Sequence, residues 1–197
     1  WADGLQSRDG GWGAFDADNS YYYLNNIPFA DHGALLDPPT EDVSGRCVGM
    51  IAQLGGDKVR LDAGVAYLRK TQLADGSWFG RWGVNYIYGT WSALAGLNAA
   101  GLGPDDATMR RAADWLVQIQ NPDGGWGENC DSYKLDYKGY EPAPSTASQT
   151  AWALLGLMAA GLVDHPAVAR GVAYLKRTQE ADGLWTQPHY TGGGFPR

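Results

Sequence analysis

The sequence predicts an all-α protein, an α/α toroid in which helices form an inner and an outer layer. Two observations predict this fold. A block of Gln, Asp-Gly and Trp recurs four times, and segments with an amphipathic helical pattern alternate with segments that are apolar all round. Recurrence at a spacing of 48 to 66 residues indicates a repeated supersecondary unit. Strands find no comparable support in the pattern.

The recurring block places Trp six residues after Gln, and an Asp precedes the first Gly of every copy. Asp-Gly favours a turn with a backbone position of positive φ. We interpret the block as a stabilising clasp, in which the Gln amide satisfies polar groups at a helix end and the indole covers it. The four pairs are Gln6 and Trp12, Gln72 and Trp78, Gln120 and Trp126, and Gln179 and Trp185.

Amphipathic helices are expected before the last three blocks, each ending at the Gln, as in the apolar series Leu61, Val65 and Leu68. Segments near 91–100 and 150–160 carry no charge, and we expect these helices to be buried on every side. The longer uncharged stretches containing them contain Gly, Pro and polar residues. This composition favours buried helices over membrane spans.

Composition limits the classes of function. The chain has 197 residues, expected to form one domain or part of one, and a net charge of −7 without a basic stripe, which argues against a nucleic-acid surface. Nine tryptophans exceed what core packing usually requires. Cys47 and Cys130 fit buried structural thiols. No zinc site is expected, because the histidines, His32, His165 and His189, are isolated.

Longer motifs give the chain a resemblance to a known family. The four blocks resemble the QW motifs of triterpene cyclases, and further segments resemble signatures of bacterial squalene–hopene cyclases, so that the resemblance covers the whole chain. These segments are 10–19, 27–33, 75–90, 121–128 and 190–196.

The resemblance implies a fold and an activity. It implies that residues 1–197 are part of a catalytic α6–α6 barrel, cut at both ends, in an enzyme that cyclises squalene to hopene and hopanol without a metal or organic cofactor. Proton transfer from an Asp-x-Asp-Asp motif would start the reaction. That motif would precede this segment, so the segment alone is expected to be inactive. The family implies peripheral attachment to the cytoplasmic side of a bacterial membrane through other parts of the enzyme, and a homodimer stays open.

Five aromatic or imidazole side chains match family positions that line the substrate cavity. Aromatic faces stabilise carbocations without reacting with them, which would account for the excess of aromatic residues. Taken from the residues alone, each is more simply a packing side chain. The matching residues are Phe15, Phe29, His32, Trp82 and Phe195.

A second group matches residues that support the catalytic aspartate in the family. Asp42 and Tyr88 match its hydrogen-bonding partners, and Arg46 matches a position that is His or Arg. Without the family, Asp42 would be interpreted as the N-cap of an apolar helix. The run 16–20 mimics an acid motif, but we expect a structural turn there.

Three other interpretations stay open from the sequence. A lectin with Gln-x-Trp repeats would need short strands instead of helices before each block. The β-subunit of a protein prenyltransferase shares the helical barrel but needs a set of zinc ligands that this sequence lacks. A non-catalytic structural fragment is compatible with an enzymatic parent.

Overall fold

The structure is a computed structural model that describes residues 2–21, 23–24, 27, 36–133 and 139–192. Across these residues the predicted all-α class is confirmed, with six α-helices and a two-stranded ribbon. In chain order they are α1 (Glu41–Leu54), α2 (Lys58–Thr71), α3 (Tyr86–Ala99), α4 (Ala107–Gln118), β1 (Trp126–Glu128), β2 (Pro142–Thr146), α5 (Ala147–Ala159) and α6 (Pro166–Thr178).

The helices form two layers. The inner helices α1, α3 and α5 pack side by side, while α2 lies against α1, α6 against α5, and α4 against both α3 and α5. Helices α1 and α3 approach so closely that a Cβ on Gly45 would lie 2.4 Å from the Ser92 carbonyl oxygen. Small residues therefore set the spacing of the inner layer, whose N-termini carry the site described below.

The outer helices begin at side-chain caps and end close to the Gln residues. Asp57 and Asp106 accept backbone N–H groups of the first turns of α2 and α4, and His165 does so for α6. Helices α2 and α6 end directly before Gln72 and Gln179, as predicted. Helix α4 ends at Gln118, slightly earlier than expected.

Each of the first three blocks joins three helices or turns by hydrogen bonds. In the second block, Trp78 Nε1 donates to Leu68 O of the preceding outer helix (2.7 Å), and the Trp78 backbone N–H donates to Thr90 Oγ1 of the next inner helix (3.0 Å). Gln72 Nε2 donates to Thr108 O of the next outer helix (2.9 Å). The third block repeats all three bonds, with Trp126 donating to Leu116 O and Thr150 Oγ1 and Gln120 donating to Ala167 O. The first block repeats the bonds to Ser44 Oγ and Arg60 O, but its indole, that of Trp12, donates to Ala2 O in the N-terminal turn.

Within the described part of the chain, the fourth block shows only the local part of this arrangement. Trp185 Nε1 donates to Leu175 O (3.0 Å), and Gln179 Nε2 donates to Gly183 O (2.7 Å). The Trp185 residue is 38% exposed, whereas Trp126 is fully buried. The Trp side chain is therefore buried in the first three blocks and partly exposed in the fourth.

One expectation about burial is wrong, and the structure adds one short ribbon that was not expected. The segment near 150–160 is not buried on every side, because Leu155 and Met158 of α5 are exposed on a face that no described element covers. On α1, for which no such burial was expected, Met50 and Leu54 are exposed as well. Residues 126–128 and 142–146 form an antiparallel ribbon, which the helical pattern did not indicate. No helix in the described ranges combines the length and hydropathy needed to cross a bilayer.

The ribbon is held by close backbone contact. Gly127 lies against β2, and a Cβ there would lie 2.1 Å from the Pro144 carbonyl oxygen, so a larger residue would separate the strands. Directly after β1, Cys130 is exposed, which corrects the expectation of a buried thiol. Cys47 is partly buried, and burial raises the pKa of its thiol to about 11.

Candidate active site

An open cavity of about 330 Å³ lies beside the N-termini of α1 and α3. It brings together all the predicted site residues that the structure describes, although they come from three separate stretches of chain. Its lining consists of Ala14, Phe15, Asp42, Val43, Arg46, Trp82 and Tyr88. Its volume is at the small end of the range for ligand pockets, so these residues form one part of a larger apolar site if the ligand is large.

Phe15 and Trp82 form the aromatic edge of the cavity. Their ring centroids lie 5.8 Å apart at an interplanar angle of 82°, which is an edge-to-face contact. Phe15 is 69% exposed, an unusual position for a phenylalanine that only packs. Trp82 is half-buried, and its buried indole N–H has no hydrogen-bond partner among the residues that the structure describes. Both rings therefore present apolar surface to the cavity.

Asp42 lies in the first turn of α1 and is only 1% exposed. It is not the N-cap, because Thr40 occupies that position. Asp42 Oδ2 accepts the backbone N–H groups of Arg81 (3.1 Å) and Trp82 (2.9 Å), and Oδ1 accepts that of Val43 (3.0 Å). Burial raises the pKa of Asp42, and these hydrogen bonds oppose the rise. Asp42 thus fixes the peptide that carries Trp82.

Tyr88 lies in the first turn of α3 beside two further indoles. Its ring is 5.6 Å from that of Trp91 and 4.8 Å from that of Trp152, and the two indoles stack at 6.1 Å. The guanidinium of Arg46 lies 4.8 Å from the Trp91 ring, and Arg46 Nη2 is 3.4 Å from the Tyr88 hydroxyl. Arg46 makes its described contacts with aromatic rings and this hydroxyl.

Three buried carboxylates each hold backbone N–H groups next to a residue of the cavity wall. Asp37 accepts the N–H groups of residues 14–16 and so fixes Phe15. Asp42 fixes Trp82 in the same way, as described above. Glu128, at the end of β1, accepts the N–H groups of residues 85–87, which directly precede Tyr88. The cavity wall is therefore preorganised by hydrogen bonds from backbone N–H groups to buried carboxyl oxygens.

Three predicted site residues, Phe29, His32 and Phe195, lie outside the described residues. Residues 186–192, which precede Phe195 in the sequence, cross the N-terminus of α5. There Gln187 Oε1 accepts a hydrogen bond from the Ser148 hydroxyl (2.8 Å). This stretch then reaches the peptide after Trp82, and Val84 N–H donates to Thr191 O (2.9 Å).

Sequence reasoning missed several residues around the cavity. Trp91 could have been found, because it follows Tyr88 at the i, i+3 spacing of one helix face. Asp37 and Glu128 carry no signal in the sequence, because the N–H groups that they accept lie between 21 and 43 residues away along the chain. The run 16–20 forms a turn in which Asp18 has a φ of 58° and accepts the Arg8 N–H.

The arrangement favours binding of an apolar, electron-poor guest. Rings line the opening, and the carboxylate oxygens of Asp42 are occupied by N–H donors, so they are poorly placed to attack an electrophile. Among the described residues, no three His, Cys, Asp or Glu side chains gather as metal ligands would.

Comparisons with known proteins agree on one family. The family model described as the squalene-hopene cyclase C-terminal domain matches residues 1–197. The chain is 68% identical over 200 residues to the squalene–hopene cyclase of Bradyrhizobium diazoefficiens, covering 100% of this chain and 30% of that protein. It is 67% identical over 200 residues to a probable squalene–hopene cyclase of Sinorhizobium fredii, covering 100% of this chain and 31% of that protein. The chain thus spans about 30% of the length of these relatives.

Solved structures support the fold. The type II terpene cyclase MstE from Scytonema superposes with a TM-score of 0.62 at 21% identity, covering 93% of this chain and 49% of that one. The ent-copalyl diphosphate synthase from Streptomyces platensis superposes with a TM-score of 0.61 at 20% identity, covering 91% of this chain and 31% of that one. The arrangement of helices is therefore that of terpene cyclases.

Proposed function

The chain belongs to the squalene-hopene cyclase family, and on that premise we propose that it supplies part of the wall of a site where squalene is cyclised to hopene and hopanol. The observation that carries the proposal is the cavity itself. It joins a buried carboxylate, Asp42, to the rings of Phe15, Trp82 and Tyr88 in one lining. The reaction is acid-initiated, proceeds through carbocations and needs no metal or organic cofactor.

The rings stabilise positive charge on the folded substrate. A cation over an aromatic face gains about 0.5 to 2 kcal/mol, with the larger value where water is excluded. Phe15 and Trp82 present their rings to the cavity, and neither ring is a nucleophile that would capture a cation. Such rings favour transition states with developing positive charge, which is the requirement for catalysis of a cyclisation cascade.

Asp42 and Tyr88 support the proton donor and do not replace it. Asp42 already accepts three backbone N–H groups, so its hydrogen-bonding capacity is largely occupied in holding the chain. Among the described residues, the Tyr88 hydroxyl only accepts, from the guanidinium of Arg46, so its proton can be donated to a further group. We assign Tyr88 to a hydrogen bond with the initiating acid, and Arg46 to orienting Tyr88.

The apolar character of squalene bears on where the enzyme acts. Squalene is an apolar hydrocarbon, so it reaches the cavity from a lipid phase. We therefore propose that the enzyme acts while attached peripherally to the cytoplasmic side of a bacterial membrane, with attachment through other parts of the enzyme. Flotation of the full-length enzyme with vesicles tests attachment, and light scattering tests the homodimer.

The proposed activity is tested in a full-length enzyme. In a grafted cyclase, this chain replaces the 200 matching residues of the Bradyrhizobium relative. We expect the grafted cyclase to convert squalene to hopene, measured by gas chromatography, at a rate within tenfold of the unmodified relative. A control graft with Asp42→Asn should fold but lose activity. A folded grafted cyclase that leaves squalene unchanged would reject the proposed function.

A further inference from the structure

Helix α3 begins without a side-chain cap of its own. Asn85 is at the N-cap position, but its side chain makes no capping hydrogen bond to the helix. Instead Asn85 Oδ1 accepts the Gly80 N–H (3.1 Å), and Nδ2 donates to the Ser132 hydroxyl (3.2 Å). The first N–H groups of α3 therefore need another acceptor, because unpaired N–H groups at a buried helix end are costly.

Glu128 supplies that acceptor from a different part of the chain. Its Oε2 accepts the N–H groups of Asn85 (3.0 Å) and Ile87 (3.0 Å), and its Oε1 accepts that of Tyr86 (3.1 Å). The Glu128 residue is 5% exposed, so water does not replace these bonds. A carboxylate at a helix N-terminus is also favoured by the helix dipole.

The backbone of Glu128 is itself held in place. Its N–H donates to Gln149 Oε1 (3.0 Å), and its carbonyl accepts Gln149 Nε2 (3.1 Å). Gln149 Nε2 also lies 3.1 Å from the Val84 carbonyl oxygen. The ribbon, helix α5 and the start of α3 are thereby tied to one fully buried glutamine.

We propose that Glu128 is a positioning residue of the cavity, which caps α3 in place of Asn85 and so fixes the position of Tyr88. The carboxylate binds the peptide N–H groups of the residues that directly precede Tyr88, and it does not reach the cavity lining. Its effect on the reaction therefore passes through the helix. This inference rests on the proposed function, because it assigns Tyr88 a role in the same reaction.

A double-mutant cycle in the grafted cyclase tests the proposal. Glu128→Ala should lower kcat for squalene by about 10- to 100-fold, as expected for a displaced catalytic group, with KM changed less than about twofold. In a Tyr88→Phe background, the same substitution should lower kcat by less than about threefold, because the group that it displaces is already absent. Glu128→Gln, which keeps one acceptor oxygen, should give an intermediate loss.

A matched control separates positioning from general destabilisation. Asp106→Ala removes a carboxylate that caps α4, a helix that contributes nothing to the cavity lining. We expect its kcat to stay within about twofold of the grafted cyclase, at a temperature where circular dichroism shows both variants folded. If Glu128→Ala does not fold, Ser132→Ala makes a milder change at the same helix start and should show the same coupling to Tyr88→Phe.

The results of these experiments separate the positioning role of Glu128 from the proposed cyclase activity. An equal loss of kcat whether Tyr88 is present or replaced by phenylalanine would overturn the positioning role, and so would a folded Glu128→Ala enzyme with full activity. In either case an active grafted cyclase would still support the proposed function. An inactive but folded grafted cyclase would reject the function itself, before any variant is compared.

Discussion

Replacing the tryptophans of the third and fourth blocks by alanine should lower the free energy of unfolding by very different amounts. Trp126 is fully buried, and Trp185 is 38% exposed, although each indole donates to a backbone carbonyl of the preceding outer helix. A buried Trp removes about 200 Å² from water, which corresponds to about 5 kcal/mol. The unfolded chain is partly compact and already buries some of this surface, which lowers the value. We therefore expect Trp126→Ala to lower the free energy of unfolding by about 3 to 5 kcal/mol.

The exposed indole provides the control. Trp185 buries less surface, and its removal opens a surface groove instead of an enclosed cavity. We therefore expect Trp185→Ala to lower the free energy of unfolding by about 1 to 2 kcal/mol. Urea denaturation of the 197-residue chain, followed by far-ultraviolet circular dichroism, measures both costs. With a slope of about 2 kcal/mol per molar urea, the midpoint should fall by about 2 M for Trp126→Ala and by less than about 1 M for Trp185→Ala. Equal shifts would refute the claim that burial, and not the motif alone, determines the contribution of each clasp.

Three further predictions concern charge and catalysis. Burial raises the pKa of Glu128 to about 7 from 4.5, so the folded state binds more protons between these values, and the free energy of unfolding should fall by about 3 kcal/mol as the pH rises through them. Urea titrations at pH 5 and pH 8 should show a smaller fall in Glu128→Gln than in the unsubstituted chain. The remaining fall in the variant comes from Glu41 and Asp42, because burial raises the pKa of these two groups as well. Falls of equal size in the two proteins would contradict the prediction. In the grafted cyclase, Trp82→Ala should give prematurely terminated products or none by gas chromatography, and an unchanged product profile would remove Trp82 from the site. The 197-residue chain alone should yield no hopene from squalene, because it contains no Asp-x-Asp-Asp run to supply the proton, and any hopene would contradict this.

The helical layers could be predicted because their signals are local. The Gln and Trp of each block lie six residues apart, and the helix before each of the last three blocks shows its own periodicity. The ribbon could not be predicted in the same way. Its second strand, at 142–146, includes two prolines, and its pairing with 126–128 depends on contact between distant backbones.

The candidate site was predictable to the extent that family motifs mark it. Phe15, Asp42 and Trp82 were identified by resemblance, and the structure brings them to one cavity. The carboxylates that hold the wall in place were not identified, because a buried Glu that accepts distant N–H groups looks like any other Glu in a sequence. Exposure of the inner helix faces was also missed, since apolar composition indicates what can be buried but not which neighbour covers it.

The most direct test of the central claim is a crystal structure of the grafted cyclase with an ammonium analogue of squalene, whose charged nitrogen stands in for a carbocation. We expect the analogue to lie along the cavity, with its hydrocarbon chain against Phe15 and its nitrogen within about 6 Å of the ring centroid of Trp82 or Tyr88. An analogue bound elsewhere in the enzyme, with these rings facing only solvent, would contradict the assignment of this cavity to the cyclisation site.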